Sequence, residues 1–217
     1  HSIYVDQWDW EKVIKKEDRT EEYLEDVVDR IYIALKNLVD FVNRHYPELR
    51  TDLPNEIKYI TSQELEDMYP DLNPEERENE IAKKERAVFI SKIGGNLKSG
   101  KPHDGRAPDY DDWELNGDII LWNDILESAY EISSMGIRVD EESMKKQLEI
   151  SGKKDRENLD FHKKILNREL PYTVGGGIGQ SRLCMYFLRK AHIGEVQVSV
   201  WPNEMIKKCE ESDIFLL

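Results

Sequence analysis

The chain has 217 residues, enough for one sizeable domain, and its 45 acidic and 31 basic side chains give a formal net charge of −14 at pH 7. Such an acidic surface repels nucleic-acid phosphates, and no apolar run approaches the ~20 residues of a membrane span, so neither nucleic acid nor membrane is an expected partner. Only two cysteines occur, which excludes a disulfide framework and favours a reducing compartment such as the cytoplasm.

The N-terminal residues 2–10 alternate in hydropathy, which predicts a β-strand. Gln7 and Asp9 share one face of this strand with Ile3 and Val5. A buried amide or carboxylate needs hydrogen-bond partners, so this face indicates either a site for a small polar ligand or simple exposure at the end of a strand.

Hydrophobic spacing predicts six further strands or strand-like segments and several helices in the rest of the chain. The predicted helices cover residues 20–46, two segments that begin at capping boxes at Thr61 and Asn73, a segment capped by Asp140, residues 156–169 capped by Asp155, and residues 181–189. The predicted strands cover residues 57–60, 87–93, 117–123, 129–139, 173–179 and 196–200. Strands separated by irregular loops, with helices outside, indicate an α+β fold built on a largely antiparallel β-sheet flanked by helices.

Residues 175–179 contain four glycines, and Arg182 follows near the start of a buried helix. Because glycine is unfavourable inside an ordinary strand, this run predicts a sharp turn or a flat ligand lying against the backbone. A guanidinium beside it can stack on a base and bind phosphate oxygens. The run matches neither a P-loop nor a dinucleotide fingerprint, and a structural turn beside a surface arginine is the alternative.

The segment RAPDYDDW, residues 106–113, places Arg106 and three aspartates within eight residues. So many carboxylates are costly together unless they bind cations, and an α-ammonium group or Mg²⁺ would satisfy them. A solvated acidic loop is the alternative. His103 and Asp104, just upstream, indicate a weaker candidate for a phosphate contact.

Asp118 and Glu131 lie on two consecutive predicted strands. One acid on each of two strands is a suitable arrangement for holding Mg²⁺ against ATP phosphates. Glu131 shares a face with Ser133, and Ser134 lies on the other face, unless a β-bulge intervenes. Exposure on the strand surface is the alternative for Glu131.

Five segments, in the order HSIYVDQWDWE, RAPDYDDW, LNGDI, EISSMGIRV and GGGIGQSRL, resemble the ammonia-dependent asparagine synthetases of the aspartate–ammonia ligase type. The resemblance spans nearly the whole chain. It implies a homodimeric cytoplasmic enzyme with a catalytic domain like that of class II aminoacyl-tRNA synthetases. It also implies a reaction in which L-aspartate attacks ATP, with Mg²⁺ assisting, to give β-aspartyl-AMP, from which ammonia displaces AMP.

The resemblance further implies a role for each matching position. The residues expected to bind aspartate or asparagine are Gln7, Asp9, Arg106, Asp111, Ser133 and Ser134. The residues expected to bind the nucleotide are Asp118, Glu131, Gly176, Gly177, Gly179 and Arg182. Asp118 and Glu131 are the expected metal ligands, and Arg182, Asp111 and Asp118 are the expected catalytic residues.

Two departures from the family pattern bear on these expectations. Family members carry a further region before the position of His1, so the 217 residues are expected to form one catalytic domain whose N-terminal part is absent. A chain that truly started at His1 is expected to be inactive and poorly folded. Only Glu114 stands between Trp113 and Leu115, where family members have a longer loop.

Two alternatives remain open for the function. The first is the catalytic fragment of a class II aminoacyl-tRNA synthetase, against which the net charge of −14 counts. The second is a non-catalytic paralogue that binds asparagine or AMP. A binding protein of this kind needs no metal-binding acids, so the joint presence of Asp111, Asp118, Glu131 and Arg182 counts against it.

Overall fold

A six-stranded β-sheet in the order β1-β6-β5-β4-β3-β2 organises the chain in a computed structural model that describes residues 3–217. The strands are β1 (Gln7–Ile14), β2 (Lys58–Thr61), β3 (Ala87–Ser91), β4 (Asp111–Asn123), β5 (Ser128–Arg138) and β6 (Tyr172–Gly179). The helices are α1 (Glu21–His45), α2 (Ser62–Met68), α3 (Pro74–Glu85), α4 (Glu141–Ile150), α5 (Asp160–Leu166), α6 (Gln180–Phe187) and α7 (Asn203–Glu211). The predicted α+β class is confirmed, and the sheet is antiparallel except for the parallel pair β2–β3.

The two faces of the sheet are covered differently. The long helix α1 and part of α6 pack on one face, against a core that includes Phe89, Ile119, Met135 and Val174. On the other face, α2 and α3 contribute to a second core over β3 and β4, which includes Ile90 and is smaller. The β1–β6 side of that second face carries polar side chains and glycine instead of apolar core residues. The candidate site therefore lies on this face.

Local capping signals predicted helix starts well. The side chains of Thr61 and Asn73 accept hydrogen bonds from the third helical residue, and both predicted capping boxes are present. Asp140 caps α4 as predicted. Asp155 caps nothing, because residues 154–158 form a 3₁₀ turn and α5 begins only at Asp160 without a side-chain cap. The helix predicted at 156–169 is therefore present only over Asp160–Leu166, and its predicted cap is wrong.

Two predicted strand assignments are also wrong. Residues 3–6 precede β1 rather than belonging to it, and residue 2 lies outside the described residues. Residues 196 and 197 form a turn and a bend, residues 198–200 belong to no helix or strand, and Val198 and Val200 have most of their surface exposed. A strand needs a partner as well as an alternating sequence, and this segment has no strand partner among residues 3–217.

The glycine run is regular strand, which corrects the predicted turn. Residues 175–179 pair with β1 on one side, residues 174–178 pair with β5 on the other, and none of the glycines has a positive φ. Glycine is required here by close approach rather than by backbone conformation. A Cβ atom on Gly175 would lie 2.1 Å from the Oε2 atom of Glu11, and one on Gly176 would lie 2.6 Å from the Cβ atom of Met135.

Within residues 3–217, no helix has both the length and the hydrophobicity that crossing a bilayer requires.

Candidate active site

The floor of the candidate site is the side-chain-free face of β6. Directly opposed residues of antiparallel strands place their side chains on the same face. Gly177 lies opposite Asp9 of β1 and Ser134 of β5, and Gly179 lies opposite Gln7. A Cβ atom on Gly177 would lie 2.9 Å from the Oδ1 atom of Asp9. The glycines thus leave a bare strip of backbone between two rows of polar side chains, the strip that we call the glycine floor (residues 175–179 of β6).

A β-bulge in β5 brings Glu131 to this face. Ile119 lies opposite Ser133 and Ile120 lies opposite Glu131, so Ile132 is the extra residue. The bulge reverses the simple alternation, and Glu131 therefore shares its face with Ser134 rather than with Ser133. Ser133 is buried and donates a hydrogen bond of 2.9 Å to the carbonyl of Gly177. Its predicted substrate contact stays a prediction, and the observed bond fixes β5 to β6.

Asp118 and Arg106 form an ion pair beside the glycine floor. Asp118 lies in β4, opposite Ser134 of β5, and its carboxylate accepts a hydrogen bond from the guanidinium of Arg106. Burial raises the pKa of Asp118 to about 7, against the opposing effect of the Arg106 charge. The Oδ1 atom is buried and has no hydrogen-bond partner among residues 3–217. A buried acceptor left without a partner is a natural contact point for a cation or a donor group of a ligand.

Arg138 is a residue of the site that the sequence reasoning missed. Its Nη2 atom lies 2.8 Å from the Oε2 atom of Glu11, its Nη1 atom donates to Asp111, and its guanidinium stacks 4.0 Å above the ring of Tyr110. Burial raises the pKa of Asp111, and the Arg138 charge opposes this rise. The sequence feature that could have identified Arg138 is the alternation along the strand, which places Arg138 on the same face as Ser134.

The three aspartates of residues 106–113 do not form one cation site. Asp111 pairs with Arg138, Asp112 with Arg19, and Asp109 with both Arg156 and His162. The expected shared cation is therefore wrong for the cluster as a whole, because a protein side chain already neutralises each carboxylate. Of the three, Asp111 lies against the floor, since a Cβ atom on Gly136 would lie 2.8 Å from its Cγ atom.

His103 does not contact the open site, contrary to the weak prediction of a phosphate ligand. The residue is 3 % exposed, and its Nε2 atom lies 2.9 Å from the Oε1 atom of Glu78. Asp104 pairs instead with Arg106 within the same loop.

Arg182 lies in the first turn of α6 at the Gly179 end of the floor. Its Nη1 atom donates 3.0 Å to the carbonyl oxygen of Glu131 and lies 3.3 Å from the Oε1 atom of the same residue. A pocket opens here and is lined by Gln7, Gly179, Arg182 and nearby residues. A partly exposed guanidinium beside bare backbone provides a surface for a planar base and for phosphate oxygens.

Asp118 and Glu131 are the two carboxylates of this face that could hold a metal ion. Within the described residues, no group of three or more His, Cys, Asp or Glu side chains is arranged to hold a metal ion. Mg²⁺ commonly binds through one or two carboxylates plus substrate phosphates and water, so it does not need a larger protein cage. The unpartnered Oδ1 atom of Asp118 and the shared face of the two carboxylates fit such an ion.

Comparison with solved structures relates the fold to aminoacyl-tRNA synthetases. The asparaginyl-tRNA synthetase of Entamoeba histolytica in complex with asparaginyl-adenylate has a TM-score of 0.65 at 14% identity, over 91% of this chain and 47% of that chain. The Pyrococcus horikoshii asparaginyl-tRNA synthetase complexed with asparaginyl-adenylate gives 0.62 at 15% identity, over 93% of this chain and 50% of that chain. At these identities the likeness shows a shared fold.

Sequence comparison relates the chain to one family. The family model for aspartate-ammonia ligase matches residues 1–213. The aspartate–ammonia ligase of Clostridium tetani is 62% identical over 217 residues, which cover 100% of this chain and 64% of the relative. That of Limosilactobacillus reuteri is 62% identical over 218 residues, which cover 100% of this chain and 65% of the relative. The chain thus spans just under two thirds of the length of these curated relatives, and it belongs to the aspartate–ammonia ligase family.

Proposed function

We propose that this chain forms the aspartate- and nucleotide-binding part of an AMP-forming enzyme that makes L-asparagine from L-aspartate and ammonia. The observation that carries the proposal is the glycine floor of β6, with paired carboxylates and guanidinium groups at both ends, in a chain of the aspartate–ammonia ligase family. Two anionic substrates must meet in such a reaction, so the site needs cationic groups at fixed positions.

The aspartate pocket is assigned to the middle of the floor and its Gly175 end. Free aspartate carries one ammonium and two carboxylates, so it needs both acidic and basic partners. Asp9 and Asp111 suit the ammonium group, Gln7 and Ser134 can hydrogen-bond to polar groups, and Arg106 suits a carboxylate. Arg138 joins this set because its guanidinium backs Asp111 and reaches the same face.

The nucleotide is assigned to the Gly179 end. Arg182 would stack on the adenine and reach the phosphates, and Gly177 and Gly179 would let the nucleotide approach the backbone. Gly176 points to the opposite face, where a Cβ atom would strike Met135, so its contribution is to strand packing. The two tRNA synthetase structures are complexes with asparaginyl-adenylate, a compound of the same chemical class as the proposed intermediate.

The reaction then follows from the two pockets. An aspartate side-chain oxygen attacks the α-phosphorus of ATP, and pyrophosphate leaves. The nitrogen of ammonia attacks the resulting β-carbonyl carbon, AMP leaves with the bonding electrons, and a proton is lost from nitrogen. Mg²⁺ held by Asp118 and Glu131 would supply neutralising charge for the phosphates. Arg106 and Arg182 orient the anions on either side of the reacting atoms.

Three further properties belong to the proposal. The enzyme is a cytoplasmic homodimer, and the 217 residues belong to one catalytic domain. The alternative of a tRNA synthetase fragment is disfavoured by the net charge of −14, which repels tRNA.

The test measures asparagine formation by a protein of the full length of the relatives, with ammonium chloride or glutamine as the nitrogen source. Ammonium should support formation of asparagine, AMP and pyrophosphate in equal amounts without tRNA. Equal use of glutamine, or a requirement for tRNA, would contradict the proposal.

A further inference from the structure

The loop that carries Arg106 has almost no backbone hydrogen bonding of its own. Residues 103–109, which we call the arginine loop, contain no helix or strand. The loop accepts a bond of 3.0 Å from Gln147 to the carbonyl of Pro108, near its C-terminal end. Arg106 itself pairs with Asp104 of the same loop and with Asp118. Trp113 also donates a bond of 3.4 Å to the carbonyl of Ala107. Besides these contacts, side chains at the two ends of the loop help to determine where Arg106 lies.

The N-terminal end of the arginine loop follows an isolated β-bridge between Asn96 and Pro102, and a buried histidine ties this end to α3. The side chain of His103 is 1 % exposed, and its Nε2 atom lies 2.9 Å from the Oε1 atom of Glu78. Its Nδ1 atom has no partner within residues 3–217. The side-chain hydrogen bond of this ring within the described residues is therefore the one to Glu78.

The C-terminal end repeats the arrangement with α5. The Nε2 atom of His162 lies 2.8 Å from the Oδ2 atom of Asp109, and His162 is buried. Arg156 binds the same carboxylate oxygen at 2.8 Å. Together these groups hold the pKa of Asp109 below its usual range despite burial. Each end of the loop is thus held by a histidine–carboxylate pair that links it to a different helix.

We propose that His103 and His162 are positioning residues that hold the arginine loop at both ends and thereby keep Arg106 at Asp118. Neither histidine lines the glycine floor, so each acts through Arg106. A loop released at one end would have to be ordered again at every binding event, which costs conformational free energy. The cost should appear in aspartate binding, because Arg106 is assigned to aspartate. This part of the inference rests on the proposed function, whereas the attachment of the loop does not.

The attachment is tested by limited trypsin digestion of a protein of the relatives' full length and mass spectrometry of the peptide that ends at Arg106. The Arg106 side chain is 19 % exposed and ion-paired, so cleavage requires local opening. His103→Ala should accelerate this cleavage at least about tenfold, as expected for losing a hydrogen bond to a charged group. His103→Gln keeps an N–H donor and should stay near the wild-type rate. His45→Ala, at an exposed histidine of α1, is the matched control and should change nothing.

Positioning is tested by steady-state kinetics of the same variants in a protein of the relatives' full length. His103→Ala should raise KM for aspartate at least about fivefold, a smaller change than full loss of a charged hydrogen bond, while KM for ATP stays within about twofold. His103→Gln should restore KM for aspartate. His162→Ala should likewise accelerate cleavage after Arg106 and raise KM for aspartate. This second variant keeps the test decisive if His103→Ala does not fold.

The outcomes separate the two claims. Wild-type cleavage in both alanine variants would overturn the attachment of the loop. Faster cleavage with unchanged KM for aspartate would overturn the positioning of Arg106. A wild-type protein without ligase activity would contradict the proposed function, and the digestion would still decide the attachment.

Discussion

At the residue scale, the unusual group is the carboxyl of Asp118, which is buried beside Arg106 and has a pKa raised to about 7. In the unfolded chain its pKa is near the ordinary value of 3.8. Between these two values the folded state keeps a proton that the unfolded state has lost. The stabilisation from Asp118 is therefore fully present below pH 3.8 and is lost as the pH rises through about 7.

Replacement of Asp118 by asparagine should remove this pH dependence. Relative to wild type, the unfolding free energy of Asp118→Asn should increase between pH 5 and pH 8 by on the order of 1–3 kcal/mol. Urea unfolding without nucleotide or metal measures the difference. Asp71→Asn, at an exposed position, is the control and should give a flat difference. A flat or falling difference for Asp118→Asn would show that the carboxyl is ionised in the folded protein across this range.

Arg182 supplies the second residue-scale prediction. Its guanidinium is assigned to the adenine and phosphates, so Arg182→Ala should lower aspartate-dependent exchange of pyrophosphate into ATP by at least about tenfold, which corresponds to about 1.4 kcal/mol at the transition state. Arg189 lies just beyond the same helix, and its guanidinium donates to the backbone carbonyl of Arg50. Arg189→Ala is the control and should leave the exchange rate near that of the wild type. Exchange at the wild-type rate in Arg182→Ala would exclude Arg182 from the site.

At the scale of elements, β6 serves two purposes with one glycine-rich sequence. Gly177 faces the site, where an added Cβ atom would meet the ends of the Asp9 and Gln7 side chains at 2.9 and 3.2 Å. Gly176 faces the core, where an added Cβ atom would lie 2.6 Å from the Cβ atom of Met135 and 2.7 Å from the backbone oxygen of Ser134. Flexible side-chain ends can move, whereas a backbone oxygen in a packed sheet cannot do so cheaply.

The two glycines should therefore separate stability from activity. Gly176→Ala should lower the unfolding free energy by about 1–3 kcal/mol through overpacking. Gly177→Ala should change stability by less than about 1 kcal/mol and should reduce exchange strongly, because its methyl group enters the site. Chemical denaturation and the exchange assay measure the two properties. Equal loss of stability in both variants would contradict the assignment of faces.

Elements with local signals were predictable from the sequence. Thr61 and Asn73 cap their helices through residues three positions away, and α1 follows from apolar spacing over many turns. Residues 196–200 have the alternation of a strand but find no strand partner in the described chain, so pairing, a long-range property, decided the outcome. Helix α7 follows this segment and was not predicted.

The site required information that spacing alone does not contain. Glu131 reaches the floor only because Ile132 is a bulge residue, and a bulge depends on the register with β4. Arg138 lay inside the quoted segment EISSMGIRV, yet its contacts with Glu11 and Asp111 depend on which strands are neighbours. The resemblance to the family supplied the candidate segments, and the sheet order determined which of their side chains meet.

At the scale of the whole molecule, the acidic surface and the internal ion pairs have different roles. The net charge of −14 disfavours a polyanionic partner, while Arg106, Arg138 and Arg182 each form an ion pair with a carboxylate on one face of the sheet. Arg106 lies in a loop tied to α3 and α5, Arg138 lies in β5, and Arg182 lies in α6. Elements from across the fold therefore hold these three guanidinium groups around the glycine floor.

The most direct test of this account is isotope exchange between labelled pyrophosphate and ATP by a protein of the relatives' full length. The assay contains Mg²⁺ and aspartate but neither ammonium nor tRNA. The account predicts exchange that depends strictly on aspartate, because adenylation precedes and does not require the attack of ammonia. Absence of exchange in a protein that nevertheless makes asparagine when ammonium is added would contradict the adenylate mechanism.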